Sequence, residues 1–170
     1  MSRYRRAVLA AVPLLVLVGC ARSHSSLEEQ NKAIVTRFGE ASNAKDYEAI
    51  RALLTPDFVR HSQATPDVVV QNADQFLQYL KADSAVFPDS RQTLQQLVAE
   101  GDLVAFRVEY AGTQEGQMGP FPPSHKRVQL DVSGVFRLRD GKLAELWVTW
   151  DNLAALAQLG HFPPPPVGQN

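Results

Sequence analysis

Apolar and polar positions change their period once along the chain. Early on they recur at three- and four-residue intervals, the spacing of a helix with one buried face. Asn31, Ile34, Phe38 and Ala41 form such a stripe. Ser26-Leu27-Glu28-Glu29 before it reads as a capping box that starts the helix, and Ser42-Asn43 ends it. Asp46 can cap a second helix with Tyr47, Ile50, Leu53 and Leu54 turned inward, stopped by Pro56. Asp57 to Ser62 then reads as a short extended segment. Asn72 can cap a third helix carrying Phe76, Leu77 and Leu80. Beyond it the pattern alternates. Arg91 to Ala99 and Leu103 to Gly112 predict two strands around a Glu100-Gly101-Asp102 turn, with Val104, Phe106, Val108 and Tyr110 on one face. Helices first and strands afterwards predict an α+β fold rather than alternating βαβ units.

The strongest local signal lies in Val128 to Asp151. Two apolar-rich runs flank Asp140-Gly141, a dipeptide that suits a type I′ hairpin turn because both central residues need φ > 0. Counting outward pairs Phe136 with Glu145, Gly134 with Trp147 and Val135 with Leu146. Both faces are apolar in the middle, which predicts a central hairpin covered on both sides, by helices on one and by a second subunit on the other. Thr113 to Lys126, rich in Gly and Pro, is expected to lie over a pocket mouth. Asp151 should begin a last helix through Leu159, and Gly160 should end it. Residues 161–170 form a Pro-rich extended tail.

Composition changes this picture little, except at the amino terminus. The 170 residues suit one domain, with 21% charged and 45% hydrophobic residues. Residues 1–19 read as a signal peptide: Arg3, Arg5 and Arg6 precede an apolar run from Ala7 to Val18, too short for a comfortable membrane span. Removing those three arginines leaves 14 basic against 18 acidic residues, a charge of −4. A mildly acidic domain without basic clusters is a poor binder of nucleic acid. Leu17-Val18-Gly19-Cys20 resembles the lipobox of bacterial lipoproteins, in which the Cys becomes the lipidated first residue. The alternative is a plain signal peptide with an incidental Cys. It is the chain's one Cys, so no internal disulfide can form. On the lipobox reading, residues 20–28 are a tether and the protein sits in the cell envelope, held at a membrane surface through Cys20.

The phrases VFRLRDGKLAELWVTWDNLAALAQLG, LVAEGDLVAFRVEYAGT and MGPFPPSHKRV resemble the SnoaL-like, ester-cyclase branch of the NTF2-like superfamily. The likeness covers residues 29–160. It implies an NTF2-like (cystatin-like) cone, with helices packed on a curved antiparallel sheet around a cavity. It further implies cofactor-independent, metal-free acid–base chemistry on a small hydrophobic carbonyl compound. Three positions depart from the family pattern. Gln114 stands where relatives read the His of G-T-H, Gly134 stands for the acid of I-D-x-F-R, and Leu146 stands for the His of E-H-W. Gln, Gly and Leu cannot exchange a proton near neutral pH.

Three candidates for acid–base work remain. His61 matches a histidine that the family often carries, and is either a pocket acid or base or a strand-end histidine bonded to backbone. Asp151 matches the family's WD aspartate, and reads more simply as the N-cap of the last helix. Glu145 counts as a catalytic carboxylate only if its hairpin face lines the cavity. Trp147, Tyr110, Phe106 and Phe136 would form an aromatic wall or plain core. Gly134 would open space, and Gln114, Tyr47 and Tyr110 could donate to a bound carbonyl. The four histidines are dispersed and lack metal-ligand spacing. Three functions stay open: a lipid-tethered binder of a small hydrophobic molecule with weak or no catalysis, a cyclase, isomerase or hydrolase using His61 with Glu145 or Asp151, and an envelope interaction module. A homodimer through the sheet is expected.

Overall fold

The computed structural model describes residues 17–163, with side chains from residue 27 onward. Residues 1–16 of the expected signal peptide and most of the Pro-rich tail lie outside the described residues, as does the side chain of Cys20. The elements run α1 (Leu17–Ala44), α2 (Tyr47–Leu53), β1 (Leu54–His61), α3 (Ala73–Val86), β2 (Arg91–Glu100), β3 (Leu103–Thr113), β4 (Arg127–Arg139), β5 (Lys142–Trp150) and α4 (Asn152–Leu159). They form an α+β fold with one five-stranded sheet in the order β1-β5-β4-β3-β2.

The helix caps form where the side chains dictate. Asp46, Asn72 and Asp151 each accept a hydrogen bond from a backbone N–H three residues on, and Gly160 closes α4 in the left-handed region at φ 79°. One start differs. Helix α1 is already formed upstream of the Ser26 capping box, from Leu17, the first described residue. No proline interrupts residues 17–26, so the backbone bonds of a helix can continue through them. The expected extended segment at residues 57–62 belongs to β1, an edge strand that runs parallel to β5.

The hairpin turn is as expected, with Asp140 at φ 53° and Gly141 at φ 71°. The register is not. Arg139 pairs Lys142 and Leu138 pairs Leu143, but the next pair is Arg137 with Glu145. Ala144 is the extra residue of a bulge, and one extra residue flips every later side chain to the other face. Phe136 therefore pairs Leu146, Val135 pairs Trp147, and Gly134 pairs Val148.

The core lies between the helices and one face of the sheet. Phe38 of α1, Phe58 of β1, Phe76 of α3 and Phe136 of β4 are all buried. Their rings interlock, Phe58 on Phe76 at 4.7 Å and Phe38 edge-on to Phe136 at 5.2 Å. Ile50, Val104 and Leu143 are almost fully buried beside them. Among the described residues no element of the chain itself covers the opposite face. Val98 is 66% exposed and Trp147 36%, and Ala105 is exposed as well.

Candidate functional site

The phenylalanines pack together between helices and sheet, and two openings among the described residues bear on function. The larger is an open cavity of about 890 Å³ where β1 runs out into residues 62–71. Val59 to Gln63 and Pro66 to Gln71 form one wall. The middle of β3, β4 and β5 forms the other, with Phe106, Gly134 and Val148 from the core side of the sheet and Ala105, Val135 and Trp147 from its outer side. Apolar side chains predominate in the lining, with Arg60, His61, Ser62 and Gln63 as polar members on β1 and just beyond, and Gln71, Ser133 and Thr149 elsewhere. The mouth is therefore bounded by residues 62–71, not by the loop from Thr113 to Lys126. That loop instead folds onto the end of α3, where the amides of Glu115 and Gly116 donate to the Val86 carbonyl.

The second space is a narrow cleft of about 30 Å³, room for about one water molecule. Tyr47, Asp83, Ser84, Ser90 and Tyr110 line it. Tyr47 donates to Ser84 Oγ at 3.0 Å, and Tyr110 to Asp83 Oδ2 at 3.4 Å. Burial pushes the Asp83 carboxyl up to about 6, against the opposing pull of the Tyr110 hydroxyl, Arg60 and Lys45. Burial likewise raises Tyr79 to about 12, and it raises Tyr110 further still.

Arg60 lies on the side of the sheet that carries the core and is 5% exposed. Its guanidinium sits over the Tyr79 ring at 4.5 Å, with the Trp150 ring at 5.9 Å. Nη2 donates to Thr65 Oγ1 at 3.0 Å and to the Tyr79 hydroxyl at 3.4 Å. Nη1 is buried without an acceptor among the described residues, and so is Ser62 Oγ.

The residues singled out from the sequence separate into five places. His61 and Glu145 do meet, Nε2 to Oε1 at 2.7 Å. They meet on the exposed face, where His61 stacks on Trp147 at 5.2 Å and Arg137 reaches Glu145 at 3.5 Å. Glu145 is thus not on the face of Phe136, and the Ala144 bulge is the cause. Asp151 caps α4 through the amide of Ala154 at 2.9 Å and takes no part in the cavity lining. Phe106 and Phe136 stack at 5.3 Å, but Trp147 lies on the other side of the sheet, so the four aromatics do not form one wall. Tyr47 and Tyr110 line the narrow cleft rather than the cavity. Gly134 opens no space, because a Cβ there would meet the Phe106 ring at 2.7 Å and the Trp147 carbonyl at 2.5 Å. Gln114 is fully buried with its bonds taken. Nε2 donates to the Gly116 and Pro122 carbonyls at 3.2 and 3.0 Å, and Oε1 pairs with His161 at 2.7 Å.

Two functional candidates escaped the pattern reading, and each left a signal. Phe58 and Arg60 are two apart on a strand, so an inward Phe58 places Arg60 inward too. Phe76, Leu80 and Asp83 follow helical spacing, which carries Asp83 along the buried stripe of α3. Among the described residues no group of three or more His, Cys, Asp and Glu side chains is placed to hold a metal.

Residues 32–159 match the family model described as SnoaL-like polyketide cyclase. The chain belongs to this family. Among solved structures it resembles IdmH from Streptomyces antibioticus, provisionally named a polyketide cyclase, at 33% identity and TM-score 0.69 over 77% of this chain and 99% of that one. AclR from Streptomyces galilaeus, provisionally a hydroxylase, shares 28% identity at TM-score 0.70 over 82% and 87% of the two chains. A SnoaL-like protein from Jannaschia sp. CCS1, also provisionally a polyketide cyclase, shares 25% at TM-score 0.73 over 82% and 96%. A search among curated proteins found no match. The polyketide-cyclase scaffold is therefore present, with the Phe106 ring closed over Gly134.

Proposed function

We propose that this domain binds a small hydrophobic carbonyl compound in the cavity between residues 59–71 and the middle of β3 to β5. The observation that carries this reading is the cavity itself. Its volume of about 890 Å³ falls within the range of small-molecule sites, and its walls are mainly apolar with a few polar groups among them. The names of IdmH and the Jannaschia protein support a ligand with a polyketide-like ring system. Gln114, Gly134 and Leu146 supply no proton, so binding is the principal activity. Titration with neutral ring ketones such as 1-tetralone and 9-fluorenone, read by tryptophan fluorescence, should give saturable binding. Val148→Trp should fill the cavity and abolish that binding without unfolding the protein. Absence of saturable binding to any such compound contradicts the reading.

A second reading rests on the pair formed by His61 and Glu145. A histidine oriented by a carboxylate at 2.7 Å is the arrangement of a general base, and His61 also lines the cavity. On that reading the domain is a cofactor-independent cyclase or isomerase, and His61→Ala abolishes turnover while the fold survives. An unchanged rate removes it.

The setting is part of the same proposal. Cys20 carries the lipid that holds the domain in the cell envelope, which incorporation of labelled palmitate and its loss in Cys20→Ala would test. The apolar stripe of Val98, Val135 and Trp147 joins two copies in a homodimer. A monomer by light scattering at micromolar concentration contradicts that, and a stripe occupied by another envelope protein would favour an interaction module.

A further inference from the structure

The inward face of β1 ends in two polar atoms that have nothing to bond. Arg60 Nη1 and Ser62 Oγ are both buried and without a partner among the described residues, and both residues line the cavity. Arg60 lies on β1 and Ser62 one residue beyond its end. A buried guanidinium normally sits against a carboxylate, because an uncompensated charge away from water is costly. Arg60 instead contacts only neutral groups, the faces of Tyr79 and Trp150, the Thr65 hydroxyl and the Tyr79 hydroxyl, and the acid whose charge it feels, Asp83, lies beyond ion-pair distance. None of its nitrogens lies within ion-pair distance of an acid of the described chain, although Arg37, Arg51, Arg107, Arg127, Arg137 and Arg139 are surface residues and most of them are so paired.

The free site therefore has a defined chemistry. It offers one positive charge with the N–H groups of Nη1 unused, the unpartnered Ser62 hydroxyl, and apolar walls from Val68, Val70 and Val148. We propose that Arg60, assisted by Ser62, is the ligand-binding residue that takes an oxyanion of the bound molecule, and that the ligand is an acidic hydrophobic ring compound presenting a carboxylate or enolate to this end of the cavity. A guanidinium matches such an oxygen pair in geometry as well as in charge. The inference rests on the cavity being a small-molecule site, and it adds which class of molecule the site selects and by which group. Arg60 acts by holding and orienting, and it takes or gives no proton.

The test uses two probes of equal shape, 2-naphthoate and its neutral analogue methyl 2-naphthoate, titrated calorimetrically into the full domain. The wild type should bind the acid at least about tenfold more tightly than the ester, as expected for one hydrogen bond to a charged group. Arg60→Gln should erase that preference by weakening binding of the acid at least about tenfold, and Arg60→Lys should keep part of it. Should Arg60→Gln fail to fold, Arg60→Lys and Ser62→Ala still report, each by a weakened preference for the acid. Equal binding of both probes by the wild type overturns the inference and leaves the cavity reading standing. A preference that persists in Arg60→Gln but vanishes in His61→Gln moves the oxygen site to the rim and also overturns it. If neither probe binds, the cavity reading falls together with the inference.

Discussion

Gln114 and Arg60 are both polar, both buried, and lie in different parts of the fold. Gln114 sits under the loop between β3 and β4 with every group of its side chain bonded, to two carbonyls and to His161. The loop closes around it, since the Gln114 amide also donates to the Lys126 carbonyl and its own carbonyl accepts from the His125 amide. Arg60 sits beside an open cavity with one nitrogen unpaired. A buried polar group with all its bonds made fastens a structure together, whereas one left short has a cost that the fold alone does not repay. The difference assigns Gln114 to architecture and Arg60 to binding. The family pattern suggested the reverse, because Gln114 stands at a position where relatives carry a proton-exchanging residue.

The largest way to break that comparison is Gln114→Leu. It would leave His161 and the Gly116 and Pro122 carbonyls unpaired, and should cost about 2–4 kcal/mol by urea denaturation, with the preference for an acidic probe intact. If stability holds and the preference disappears, the assignment is inverted. A second variant addresses the buried polar link between the cavity and the narrow cleft. Asp83 is raised from an unfolded value of 3.8 to about 6, so the folded protein holds this proton more tightly than the unfolded chain does. The stabilisation is complete below about pH 4 and is lost as pH rises to about 6. It amounts to roughly 3 kcal/mol at most. Asp83→Asn should flatten the stability profile across that window, and a wild-type profile that is already flat there would show that the carboxyl is not desolvated.

Smaller effects sharpen the same contrast. Asp151→Ala removes an N-cap and should cost about 1 kcal/mol with no change in ligand binding, because Asp151 holds α4 and touches no cavity. Loss of binding without loss of stability would return Asp151 to the site. Arg60→Met should have the smallest effect on stability of all, within about 1 kcal/mol of wild type or above it, because an apolar side chain replaces an uncompensated charge. A loss as large as that of Gln114→Leu would make Arg60 a structural residue.

Much of the architecture was legible because it is written in local chemistry. Asp46, Asn72 and Asp151 mark helix starts by their own side-chain bonds, and Asp140-Gly141 marks a turn by the φ values it can adopt. What was not legible depends on non-local geometry. The Ala144 bulge has no distinctive residue, yet it moves Glu145 and Trp147 to the outer face and so dissolves the aromatic wall that simple counting assembled. The parallel pairing of β1 with β5 joins residues more than eighty positions apart, and nothing in DFVRHS announces it. The space at Gly134 looked open because the sequence does not show where the Phe106 ring lies. Arg60 could have been found from its alternation with Phe58, but its lack of a partner is visible only in three dimensions.

The most direct measurement is a crystal structure of the domain soaked with 2-naphthoate. The account predicts the ring between Val68–Val70 and the strand residues around Gly134, with the carboxylate on Arg60 Nη1 and Ser62 Oγ. An empty cavity, or a naphthoate bound anywhere else on the molecule, would contradict it.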